Sequence, residues 1–118
     1  MNTGINLSAW MTGIIVGLAL TATLAAEPPP QEQAKQLMSD PLKGNCLACH
    51  KVAGGVFPGN IGPALQNIRQ LFPDRAALYA QIYDPTVINP LTVMPPFGRH
   101  GILTEKEINL IVDYLITL

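Results

Sequence analysis

Two cysteines and a histidine fall within five residues, Cys46-Leu47-Ala48-Cys49-His50, and few chemistries ask for that spacing. Cys-x-x-Cys-His is the pattern that attaches a c-type haem. On one turn of helix, positions 46 and 49 share a side, so both sulfurs can form thioethers to the two vinyl groups of one porphyrin. His50 follows directly and can place its ring on the iron, as a neutral imidazole ligand. Two other chemistries use the same cysteine pair: a thioredoxin-type redox disulfide and half of a zinc site. The first belongs at a helix start behind a buried strand, and no Val/Ile-rich strand precedes Cys46. The second needs more ligands, and the chain offers one further histidine, His100, and no third cysteine.

An iron held by His50 takes a second axial ligand, for which Met94 is the candidate. It lies 44 residues after His50, in a loop stiffened by Pro95-Pro96. A thioether is neutral and soft, so it favours reduced iron and raises the potential. Most buried methionines merely fill core gaps, but competition is thin here. Met1 and Met11 fall in the first 26 residues, and Met38 precedes the motif. His100 is the rival, and would give a bis-histidine iron of lower potential; beside Arg99 in a Gly-flanked stretch, an exposed histidine is the commoner outcome. Pro63 is a candidate of another kind. A proline carbonyl there can accept the other ring N–H of His50 and fix its tautomer, while the same residue can also serve as a helix N1 proline.

These residues need elements to position them, and the pattern predicts short helices joined by long loops. After a stiff Pro28-Pro29-Pro30 leader, residues 31–39 carry Ala34, Leu37 and Met38 on one helical face. Asp40-Pro41 ends that helix, because the residue before proline is driven out of the α region. Gly44-Asn45 turns the chain into the haem motif, which is expected to open a second short helix. Residues 52–63 hold Gly54, Gly55, Pro58, Gly59, Gly62 and Pro63, too broken for helix or strand. Such a loop suits wrapping the proximal side of a porphyrin. A helix is expected over 64–72 from Leu65, Ile68 and Phe72, stopped by Pro73. The next has Asp74 in its first turn and Leu78 and Ile82 as an i, i+4 pair, stopped at Asp84-Pro85. Residues 85–101, with Pro90, Pro95, Pro96 and Gly98, again refuse regular structure. The last helix is the clearest, with Thr104 as N-cap, Glu107 at N3 and a face of Ile108, Ile111, Val112 and Leu115. Leu110, Tyr114, Ile116 and Leu118 are apolar too, so it should be buried on more than one side, across the first helix and the haem edge.

With 118 residues the chain is one domain. A formal net charge of −1 and the lack of a basic stripe exclude a nucleic-acid partner. The first 26 residues carry no charged side chain. An apolar run over 9–20 followed by small residues reads as a secretory signal peptide over 1–26, cleaved after Ala25 or Ala26, leaving residues 27–118 as the domain. An uncleaved anchor is the alternative, since residues 8–26 just span a bilayer core of about 30 Å. Gly13, Gly17 and four hydroxyl residues make that a poor permanent span. The leader has no Lys or Arg, which weakens its orientation signal. Either way the domain faces the periplasm, where bacteria attach haem covalently. Roughly 90 residues then remain, a size at which the apolar core is thin and a staple is expected. Both cysteines sit in the motif, so one covalently held haem c takes the place of a disulfide framework.

The whole pattern resembles an all-α, class I cytochrome c fold: one haem wrapped by short helices and Gly/Pro-rich loops. The segments Gly44-Asn45-Cys46-Leu47-Ala48-Cys49-His50, Pro58-Gly59-Asn60-Ile61-Gly62-Pro63 and Met94-Pro95-Pro96-Phe97-Gly98, with Leu103-Thr104 before the last helix, resemble SoxX. That family supplies the mono-haem subunit of the SoxAX complex of periplasmic thiosulfate oxidation. The resemblance covers about residues 43–118 and puts the proximal and distal ligands on His50 and Met94. It implies a SoxA-type haem partner in a heterodimer, a SoxYZ-type carrier whose cysteine is joined to thiosulfate, and a downstream cytochrome as electron acceptor. In the terms of that family the chain is the electron-accepting subunit of an L-cysteine S-thiosulfotransferase. With both cysteines consumed by thioethers, it keeps no thiol as a nucleophile and no bond-making residue of its own. The competing reading is a free mono-haem carrier serving a terminal oxidase or another periplasmic enzyme. Near-zero net charge speaks against that reading, since free carriers often dock through a charged face. A membrane-tethered disulfide oxidoreductase, without haem, is the third.

Overall fold

Packing is organised by the closing helix. The computed structural model describes residues 1, 26–53, 55 and 59–118, so the signal segment expected over residues 1–26 lies almost wholly outside the described residues. Among them there are four helices and no strand: α1 (Pro30–Ser39), α2 (Ile68–Leu71), α3 (Arg75–Tyr83) and α4 (Glu105–Leu115). Two single 3₁₀ turns, Cys46–Ala48 and Pro85–Val87, complete the order. No helix among the described residues is long and apolar enough to cross a membrane.

In α4, Ile108, Ile111, Val112 and Leu115 are buried, and the helix packs against both α1 and α3. Ala34 and Met38 meet it from α1, Leu78 and Ile82 from α3; Val52, Ile68, Phe97 and Leu103 fill the space between. The α3 contact is also polar. Arg75 donates from Nε to Asp113 Oδ1 at 2.7 Å and from Nη2 to Asn109 Oδ1 at 2.8 Å.

Helix starts follow local chemistry. Pro30 joins α1 at N1, where its fixed φ suits a helix and its missing N–H costs nothing. Asp74 stands one position earlier than expected: it is the N-cap of α3, and its carboxylate accepts from the N–H of Ala76. The expected 64–72 helix is the larger correction, since only Ile68–Leu71 coils. Tertiary hydrogen bonds claim the preceding residues: Leu65 N–H donates to Lys51 O at 2.8 Å, and Asn67, at φ +55°, donates to Leu118 O at 2.7 Å. The haem motif likewise opens no α-helix. Its 3₁₀ turn stops at Ala48, short enough to hand the chain straight to His50.

The α4 capping box is complete, with Glu107 N–H donating to Thr104 Oγ1 at 3.2 Å and Thr104 N–H to Glu107 Oε2 at 2.8 Å. Lys43 adds an ion pair at 2.9 Å, tying the approach to the haem motif onto the last helix. Burial pushes the Glu107 carboxyl up, but hydrogen bonds from Lys43 and Thr104 outweigh it and hold it below the usual carboxylate range. A depressed folded-state pKa contributes stability above the unfolded value, about 4.3, and loses it as pH falls through the folded one. Glu107→Ala is therefore expected to cost about 1 kcal/mol at pH 7. In urea melts of the holoprotein, its deficit against the parent should shrink by pH 3.

Candidate haem site

The proximal half is built from backbone. Asn45, at φ +45°, turns the chain sharply, and Cys49 N–H and His50 N–H then both donate to Cys46 O, at 3.1 and 2.8 Å. In a 3₁₀ turn residues i and i+3 eclipse, so Cys46 and Cys49 share a side. The Gly/Pro-rich loop is clasped to this turn at three points. Gly59 N–H donates to Leu47 O at 2.7 Å, Gly62 N–H to Cys49 O at 2.8 Å, and Leu65 N–H to Lys51 O at 2.8 Å.

That clasp brings Pro63 O to 2.6 Å from His50 Nδ1. A carbonyl only accepts, so Nδ1 carries the proton and Nε2 keeps its lone pair for a metal. Gly62 presses on the same ring: a Cβ there would lie 2.7 Å from Nδ1 and 2.9 Å from Nε2. Only glycine lets the backbone pass this close.

Met94 is held by the other half of the fold. Its N–H donates to Thr92 Oγ1 at 3.1 Å, and its sulfur accepts from Gln81 Nε2 at 3.8 Å. Gly98 and Arg99 N–H groups both donate to Tyr83 O, at 3.1 Å each, hanging the methionine loop from the end of α3. A Cβ on Gly98 would run into the Tyr83 ring, which stacks on Tyr79 with centroids 5.9 Å apart. Asp84 caps the turn after α3; hydrogen bonding from Thr86 and the nearby Arg99 guanidinium hold its carboxyl below the usual range. His100 is exposed in the turn that follows, its N–H on Pro96 O at 3.0 Å.

The donor set fits a haem c better than the other chemistries of a cysteine pair. Cys46 and Cys49 are free thiols, and burial pushes the Cys46 thiol up to about 11. Exchange-active pairs need an attacking thiol with a lowered pKa. A structural zinc site needs four ligands, and no group of even three His, Cys, Asp and Glu placed to hold a metal gathers among the described residues. What is present is two thiols on one side of a turn, an imidazole of fixed tautomer and a thioether. Gln81 is an addition that the motif and loop patterns do not single out, while Gly62 gains a specific role from its closeness to the His50 ring. The signal for Gln81 was a polar residue on the apolar face of α3, three after Leu78 and just before Ile82.

Comparison with known proteins agrees with the fold and with a haem domain. A family described as "Cytochrome C oxidase, cbb3-type, subunit III" matches residues 31–115. A protein of Aquifex aeolicus (strain VF5) described as "Uncharacterized lipoprotein" is 43% identical over 74 residues, covering 62% of this chain. The matched stretch covers 36% of that relative, so the chain spans about a third of its length. Among solved structures, a chain of SoxXA from P. pantotrophus superposes with a TM-score of 0.66 at 26% identity, over 81% of this chain and 86% of that one. The all-α arrangement around the 46–50 motif is thus a class I cytochrome c fold of SoxX-like form, and the chain belongs to the cytochrome c family whose description is given above, as an electron-transferring haem protein.

Proposed function

We propose that this chain is the electron-accepting haem subunit of a SoxAX-type complex, exported to the periplasm through its N-terminal segment. The observation that carries the haem role is the Pro63–His50 hydrogen bond, which leaves Nε2 as the metal-binding nitrogen. Likeness to a chain of SoxXA supports the choice of complex. A bound haem supplies one-electron chemistry. Cys46 and Cys49 would hold it by thioethers and His50 and Met94 would ligate its iron, with Pro63 orienting the His50 ring. Joining thiosulfate to the cysteine of a SoxYZ-type carrier breaks the thiol S–H bond, forms one sulfur–sulfur bond and releases one proton and two electrons; this chain, holding a single haem, would take those electrons one at a time on their way to a downstream cytochrome. The bond itself is made in the SoxA-type partner, since no thiol is left here. Leu91 and Val93, 91% and 81% exposed beside Met94, give an apolar surface of the kind a lasting heterodimer covers.

The test is recovery of the tagged mature protein from its native periplasm, with the spectrum and haem content of what accompanies it. A larger haem-containing partner and thiosulfate-dependent reduction are expected. A lone red protein with one haem would make the chain a free carrier, and a colourless one would remove haem from the account.

A further inference from the structure

Gln81 is a polar side chain placed where α3 otherwise presents core residues, between Leu78 and Ile82. It is half-buried, and its amide reaches the Met94 sulfur, 3.8 Å from Nε2. We propose that Gln81 is a positioning residue for Met94, whose N–H both orients the sulfur and weakens its donation to a bound iron. The proposal rests on Met94 being the sixth ligand, as read above.

A thioether sulfur has two lone pairs. If one binds a metal, a hydrogen bond to the other fixes which pair that is and draws electron density off the sulfur. A weaker donor favours the iron state of lower charge, so the donated bond raises the reduction potential. One electron is gained by iron and no proton moves.

The register of the pair is secured from both sides. Tyr83, two residues beyond Gln81, takes the N–H groups of Gly98 and Arg99 on its carbonyl. Those donors follow Met94 by four and five residues, and Thr92 fixes the Met94 backbone from the other direction. With Gly98 against the Tyr83 ring, the methionine loop has little freedom to slide along α3. Gln81 and Met94 are thus held opposite each other by backbone bonds that neither side chain makes. A substitution at position 81 can therefore change the sulfur's surroundings without releasing the loop.

The holoprotein tests this through Gln81→Leu, which keeps bulk and removes the donor. At fixed ambient potential, its ratio of reduced to oxidised iron is expected to fall about fivefold, ~40 mV at 59 mV per tenfold. Displacement of Met94 from the oxidised iron by added imidazole should become several-fold slower, because the sulfur without its hydrogen bond donates more strongly, while the thermal melt stays close to the parent's. Gln81→His, which retains an N–H donor, should recover at least half of the potential. An unchanged potential and exchange rate in Gln81→Leu would overturn the proposal, and so would a Gln81→His variant as low as Gln81→Leu. Met94→Ala separates the two failures. If it leaves the spectrum and potential untouched, the ligand assignment itself is wrong; if it changes both while Gln81→Leu changes neither, only the role of Gln81 is.

Discussion

Met94→Ala is expected to leave the haem covalently attached while lowering its potential on the order of 0.1 V or more, a sizeable part of the ~0.8 V range that axial ligands command. Cys46, Cys49 and His50 belong to a separate half of the fold, clasped by the loop over residues 59–65. Losing the methionine sulfur should not disturb that clasp. Three readouts follow from one cause. The far-red band of sulfur bound to ferric iron disappears, carbon monoxide or cyanide gains access to the sixth position, and redox titration gives a lower midpoint. His100 sits in the next turn and is exposed. If it replaced the lost sulfur, the variant would be low-spin and closed to carbon monoxide, and Met94→Ala/His100→Ala would reopen it. A Met94→Ala protein with unchanged potential and spectrum would take Met94 out of the site.

Removing the attachment points should have the largest effect on the fold. Cys46→Ala combined with Cys49→Ala is expected to yield a chain that loses haem in a denaturing gel and no longer melts cooperatively. The physical reason is the thinness of the core, with twelve apolar side chains buried among the described residues. Meanwhile Val87, Ile88, Leu91 and Val93 stand exposed within seven residues of the methionine loop. A domain with so few buried groups is near balance before a staple is added, and the loss is on the order of 5 kcal/mol, comparable to a small domain's whole stability. Retained far-UV but lost near-UV dichroism, with binding of a hydrophobic dye, would mark the expected state. A sharp melt with full near-UV signal in the double variant would show that the polypeptide holds itself together without the cofactor.

Local chemistry made much of this legible in advance. The 46–50 motif needs a single turn, and the Thr104–Glu107 capping box needs four residues, so neither depends on tertiary context. The α4 face could be read from spacing because every one of Ile108, Ile111, Val112 and Leu115 is apolar and buried. Where residues 64–67 are concerned, local spacing misleads. Leu65, Ile68 and Phe72 have the right period for helix, but Asn67 stands at φ +55° with its N–H on the distant carbonyl of Leu118, and Leu65 is drawn to Lys51 O. The same limit hides the Lys43–Glu107 pair, whose members are 64 positions apart, and the Gln81–Met94 contact, which exists because Tyr83 hangs the loop from α3. Pro63 stands between these cases. Its type and its Gly-rich setting single it out, while the three backbone bonds that carry its carbonyl to His50 follow no local pattern.

The pairing of α1 with α4, with residues 40–104 between them, also sets an order of events. Contacts that distant in sequence form slowly, and in the exported chain proposed above they could not begin until α4 had crossed the membrane. Cys46 and Cys49 lie near the front of the intervening stretch and emerge long before that. On that proposal the thiols would be accessible to haem attachment while the chain is still open, and α4 would act as the latch that ends that window.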